Sequence, residues 1–159
     1  MKTYSGVDIY ETLSEIVQPS HSCLVVWDVQ EGLVRSIFNQ DAFLTSLASL
    51  IEGVRGHMPI VYTRITPLPK DFQSGWFLQR MMHRFGVDDP AKMPAFMAPG
   101  SPEREIPERV RPQPGDIEID KATPNIFLGT NFELTFRKYG CSSCSSSLSL
   151  RNIFVNHFW

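Results

Sequence analysis

The sequence has no apolar run of about 18 residues, so it offers no membrane-spanning helix. Net charge is also scarce: 15 Lys and Arg against 17 Asp and Glu give −2, without the basic excess that nucleic acid or an anionic membrane would attract. Three cysteines in 159 residues cannot build a disulfide framework. Cys23 lies within an apolar run and reads as a small buried hydrophobe. Cys141 and Cys144 have C-x-x-C spacing, but no second Cys or His pair at ligand spacing accompanies them, and in a serine-dominated tail the spacing reads as accidental. The segment Met1 to Val17 lacks the apolar core of a signal peptide, which makes the cytoplasm the expected compartment. What remains is ordinary for one globular domain: 42% hydrophobic and 20% charged residues.

The clearest local signal is Cys23-Leu24-Val25-Val26-Trp27-Asp28-Val29-Gln30. A continuous apolar run ending on an acid reads as a strand covered on both faces, with its carboxylate at the carboxyl edge of a parallel sheet. Asp28 can equally start a turn or cap a helix there. Before it, Asp8 to Val17 places Ile9, Leu13, Ile16 and Val17 on one side, as a short amphipathic helix would. After it, Phe43, Leu44, Leu47, Leu50, Ile51 and Val54 fall at helical spacing, with Gly56 placed to end the helix. Pro59 to Thr63 then reads as a second strand, completing a βαβ unit whose crossover should be right-handed.

Trp76 to Phe85 fits a short helix carrying Trp76, Phe77, Met81, Met82 and Phe85. Seven prolines between Pro90 and Pro114 exclude a long regular element and leave either a binding loop, lid or partner surface, or a solvated insertion. Asp116 to Lys121 alternates polar and apolar residues as a strand does, and ends on a cation as the first ended on an acid. Thr130-Asn131-Phe132-Glu133 matches a capping box, with the helix it opens running to Tyr139 and stopping at Gly140. From Cys141 to Ser149 the chain is nearly all Ser and Cys.

Asp28 and Lys121, at the ends of two strands of one sheet, can converge on one crevice. Such a pair can act as a general base with a positive partner for developing negative charge, or stand as a plain ion pair at the sheet edge.

Leu24 to Gln30 and the segment Lys121-Ala122-Thr123-Pro124-Asn125-Ile126-Phe127-Leu128-Gly129-Thr130-Asn131-Phe132-Glu133-Leu134 resemble the isochorismatase-like (cysteine hydrolase) family, as does Tyr62-Thr63-Arg64 at the second strand end. The resemblance covers about Val7 to Gly140 and implies a Rossmann-like, three-layer αβα domain on a parallel sheet, often in a homo-oligomer. It implies a hydrolase acting on a small molecule at an amide C–N or vinyl-ether bond, with Asp28 as acid/base and Lys121 as its charged partner. Gln30 and Asn125 match nearby motif positions without an assigned role. The Asp-x-His motif of metal-binding relatives is absent, so neither a metal nor another cofactor is implied.

The tail departs from that pattern. The family's nucleophilic cysteine would fall in the register of Val155, and Cys141 and Cys144 come too early to supply it. The expectation is therefore a hydrolase domain over 1–140 followed by an atypical tail over 141–159, with the C-terminal half of the fold incomplete. In the implied strand order 3-2-1-4-5-6, loss of strand 4 leaves Leu24 to Val29 as an open apolar edge. That edge invites aggregation or pairing with another chain and lowers stability by several kcal/mol. Two other readings stay open: a non-catalytic relative acting through association with family chains, and an inactive fragment.

Overall fold

The computed structural model describes residues 2–139. Two short antiparallel strands, β1 (Lys2–Tyr4) and β2 (Val7–Ile9), form a hairpin, followed by the single-turn helix α1 (Leu13–Ile16). The amphipathic helix expected over Asp8 to Val17 is thus mostly absent. The capping box that does form begins at Thr12, whose hydroxyl accepts from Glu15 N while the Glu15 carboxylate reaches back to Thr12 N, so helix starts only there.

The body of the domain is a three-stranded parallel sheet in the order β3 (Leu24–Trp27), β4 (Ile60–Ile65), β5 (Ile117–Lys121). Helix α2 (Glu31–Val34) follows β3 directly, and α3 (Gln40–Val54) makes the crossover to β4. Leu44 and Ile51 of α3 are buried against Leu24, Val26, Ile60 and Tyr62. Leu50, expected in the same stripe, is exposed at the stripe's margin. The helix ends before Gly56, whose φ of +79° suits a residue without a Cβ. On the opposite face, Phe132 and Phe136 of α5 (Phe132–Lys138) and Ile126 cover Val25, Val61 and Ile119. Helix, sheet and helix are the three layers that the sequence implied.

Two expectations about the last third change. Helix α5 is capped at Asn131 rather than Thr130. The Thr130 hydroxyl, bonded to Ile126 O, accepts from Phe132 N, and Glu133 pairs with Arg137 instead of reaching back. The expected stop at Gly140 and the tail over 141–159, including Cys141, Cys144 and Val155, lie outside the described residues.

The proline-rich segment is folded down rather than solvated. After α4 (Gly75–Phe85), three single-turn 3₁₀ segments carry the chain across the sheet end, with Met93, Met97, Ile106 and Val110 buried. Its docking needs a glycine at position 32, where an added Cβ would stand 2.8 Å from Glu103 Cβ and 2.9 Å from Met97 Cε. Glu31 N also donates to Glu105 O at 2.8 Å. The segment is thereby fixed beside the carboxyl end of β3.

A candidate acid–base site at the strand ends

Lys121 closes β5 and Asp28 follows β3, with β4 between them. Two strand spacings, about 9–10 Å, separate the outer strands, and the long lysine stem bridges them above β4. Lys121 Nζ donates to Asp28 Oδ2 at 2.6 Å and approaches Thr123 O at 3.4 Å. It also lies 4.9 Å from the centroid of the Trp27 ring, within cation–π range. The Lys121 side chain is wholly buried, whereas that of Asp28 keeps 10% of its surface. The two sequence-predicted residues therefore meet, and the acid is the one a small molecule can reach.

Asp28 departs from the strand that carries it. Alternation along β3 would turn its side chain away from the face that carries Thr63 and Lys121. Its φ of +53° breaks the extended backbone there, in a region that Asp tolerates better than most residues. Thr63, the register partner of Trp27, holds the turn. Asp28 N donates to Thr63 O at 3.2 Å and to Thr63 Oγ1 at 3.0 Å, and the Thr63 hydroxyl donates to Asp28 Oδ1 at 2.7 Å.

Gln30 locks the same turn from below. Its side-chain amide is fully buried: Oε1 accepts from Ile65 N at 2.8 Å and Nε2 donates to Ile65 O at 3.2 Å. An amide that exchanges both bonds with a backbone residue imitates one more rung of the ladder. Nε2 also donates to Arg104 O at 3.0 Å, which ties the proline-rich segment to the crest of the sheet. This is the structural use of Gln30 in the Asp-x-Gln motif. Asn125 serves its own loop, with Oδ1 accepting from Phe127 N.

Thr63 and Trp27 were not singled out from the sequence, although Thr63 stood in a quoted strand-end motif. Neither has a local signature: their roles appear only when the parallel register sets Trp27 beside Thr63, one residue before Asp28. No cysteine approaches the pair among the described residues. Cys23 stands at the other end of β3, about 16 Å away at ~3.3 Å per residue. Thr63 is only 1% exposed, so its hydroxyl meets Asp28 and not a substrate. Among the described residues no cluster of three or more His, Cys, Asp or Glu could hold a metal ion.

A groove of about 490 Å³ runs along α4 beside Trp76 and His83, and another of about 280 Å³ lies between α3 and Pro112, and neither includes Asp28 or Lys121. The buried ion pair is the better guide to chemistry, because a cation removed from water needs a reason to be there.

Known proteins resemble this chain in sequence pattern and in fold. The family model described as the isochorismatase domain matches residues 22–144. An isochorismatase from Pseudomonas putida superposes with a TM-score of 0.56 at 19% identity, over 83% of this chain and 61% of that one. N-carbamoylsarcosine amidase from Thermoplasma acidophilum gives 0.54 at 22% identity, over 74% of this chain and 61% of that one. A cysteine hydrolase from Pseudomonas syringae pv. phaseolicola gives 0.56 at 18% identity, over 76% and 55%. These identities speak for the fold, and the chain spans 55 to 61% of the length of these structures. No curated protein matches the sequence.

Proposed function

The chain belongs to the isochorismatase family, and from that premise we propose that it hydrolyses a small molecule at an amide C–N or vinyl-ether bond through acid–base chemistry at Asp28. Asp28 moves the proton. Lys121 keeps a positive charge beside it and stabilises negative charge as it develops. The observation that carries this reading is the 2.6 Å bond between a fully buried ammonium and a carboxylate that still reaches the surface. A merely structural pair at a sheet edge would leave its lysine head in water, as long side chains ordinarily do.

The test is hydrolysis of a panel of small amides and vinyl ethers by the chain and by Asp28→Asn. Loss of roughly 10²- to 10⁴-fold in kcat/KM is expected for removal of a general acid–base group. A variant as active as the parent would remove Asp28 from the chemistry.

A second reading is favoured by the sheet itself. Among the described residues β3 is hydrogen-bonded on one side only, by β4. An unpaired edge on a strand whose residues Leu24 to Val26 are buried is a template for another strand. In this reading the chain works by association, with a second copy or a longer family chain. Light scattering of the chain alone and mixed with such a relative tests it, and monomers in both samples would eliminate it.

A further inference from the structure

We infer that Thr63 is a positioning residue that makes Oδ1, rather than Oδ2, the oxygen of Asp28 that takes up and returns the proton. The inference rests on the acid–base reading of Asp28 proposed above.

The two partners of the carboxylate differ in kind. An ammonium has donors only, and Lys121 aims one at Oδ2 from 2.6 Å. A proton added to Oδ2 would make it the hydroxyl oxygen of the acid, a poorer acceptor for that ammonium. A hydroxyl has one donor and two lone pairs. Thr63 Oγ1 now donates to Oδ1 at 2.7 Å and accepts from Asp28 N at 3.0 Å, which leaves one lone pair free. Oδ1 keeps a second lone pair that can take the proton while the hydroxyl goes on donating, and Oδ2 then remains the carbonyl oxygen, the better acceptor for the ammonium. Asp28 N keeps Thr63 O as a second acceptor throughout. In amide hydrolysis the proton leaves the attacking water for Oδ1 as the water oxygen bonds to the carbonyl carbon and the C=O π pair moves onto its oxygen. It passes from Oδ1 to the leaving nitrogen as C=O re-forms and the C–N bond breaks, and the carboxylate is restored. At a vinyl ether the protonated Oδ1 instead gives its proton to the terminal alkene carbon, water adds to the resulting oxocarbenium carbon and returns a proton to Oδ1, and the hemiketal releases the alcohol.

Burial separates this role from nucleophilic attack: a hydroxyl 1% exposed reaches Asp28 and nothing outside. It also predicts what a substitution should spare. Thr63→Val keeps the shape of the β-branched side chain and removes the hydroxyl. Thr63→Ser keeps the hydroxyl and removes the methyl.

Two measurements on the full chain decide the matter. In proton NMR, Thr63 should show a slowly exchanging hydroxyl resonance, in contact with the Asp28 amide, that moves upfield in Asp28→Asn as the acceptor loses its charge. In the hydrolysis assay, Thr63→Val should lower kcat roughly 10- to 100-fold with KM nearly unchanged, the lower part of what acid–base catalysis contributes. Thr63→Ser should restore most of it. A hydroxyl resonance indifferent to Asp28→Asn overturns the inference, as does equal kcat in the Val and Ser variants. If the parent chain hydrolyses neither bond class, the acid–base reading itself fails, while the NMR arm still decides whether the hydroxyl is committed to the carboxylate.

Discussion

Two ion pairs at the carboxyl end of the sheet meet opposite fates: Lys121 of β5 reaches across β4 to Asp28 beyond β3, and Arg64 of β4 pairs with Asp120 of β5. Thr63 and Lys121 point to one face of the sheet, where Lys121 is wholly buried against Asp28 and the Trp27 ring. Arg64 and Asp120, one residue further on and one residue back, point to the other face. There the Asp120 side chain keeps 45% of its surface and that of Glu118 keeps 44%. Each pair joins a cation to a carboxylate at the same end of one sheet, and burial separates them. A buried cation must be held by a partner to be tolerated, which makes its geometry rigid and its partner's proton equilibrium consequential. An exposed pair is exchangeable with water. The proposed function sits at the first site, where a charge is wholly buried, and not at the second.

The largest test of that contrast is Lys121→Met. It deletes the cation and leaves the Asp28 carboxylate, 10% exposed, without its charged partner. Breaking a buried pair from one side costs about 3–5 kcal/mol. The double variant Asp28→Asn with Lys121→Met carries neither charge and should recover most of that loss. Denaturant melts of the three proteins measure it. If the double variant is no more stable than Lys121→Met, the loss is one of packing, and burial of charge is not what sets this site apart.

The sequence carried the sheet and the two charged residues because both are local patterns. The apolar run into Asp28 and the alternation into Lys121 each mark a strand and its end within a few residues. Helix α3 was equally legible, from an apolar stripe and Gly56. The proline-rich segment was not, because its order comes from Gly32 and Gln30, some seventy residues earlier, meeting Met97, Glu103 and Arg104. Thr130 and Glu133 matched a capping box, yet both found other bonds at Ile126 and Arg137, and the cap moved to Asn131. Local propensity yields where a competing partner is closer. Thr63 escaped notice for a related reason: a threonine in a strand is unremarkable until register places Asp28 beside it.

Tyr62 gives an intermediate case on β4, immediately before Thr63. It is 1% exposed, and burial pushes its phenol up from 10.0 to about 12, with the nearby Asp116 carboxylate acting in the same direction and Arg55 against it. The unfolded chain therefore releases this proton near pH 10 while the folded chain holds it to about 12. The stability gained by keeping the phenol neutral is present in full below pH 10 and is lost as pH rises to about 12. Tyr62→Phe removes this linkage. Melts from pH 9 to 12 should show the parent losing up to about 2–3 kcal/mol more than the variant. Near neutrality any offset between the two should not change with pH, because the phenol is neutral in both the folded and the unfolded chain there. Parallel pH profiles would contradict the assignment.

The smallest effect belongs to the exposed pair, and it sharpens the contrast most because the prediction is nearly nothing. Arg64 is the residue to change. Asp120 would be a poorer choice, since it also holds Arg104, whose guanidinium bonds Thr66 Oγ1 and whose carbonyl receives Gln30. Arg64 Nε meets Asp120 Oδ1 at 2.8 Å and its Nη1 meets Glu118 Oε2 at 2.8 Å, both carboxylates being nearly half exposed. Pairs of this kind contribute about 0.2–1 kcal/mol, because water screens the charges and two long side chains lose freedom. Arg64→Gln should therefore melt within about 1 kcal/mol of the parent, and 1 M salt, with a Debye length of about 3 Å, should erase most of the difference. The loss in Lys121→Met should persist in the same salt, since ions do not reach a side chain with no exposed surface. Equal losses at the two sites, or equal sensitivity to salt, would mean that burial does not separate what these two pairs do.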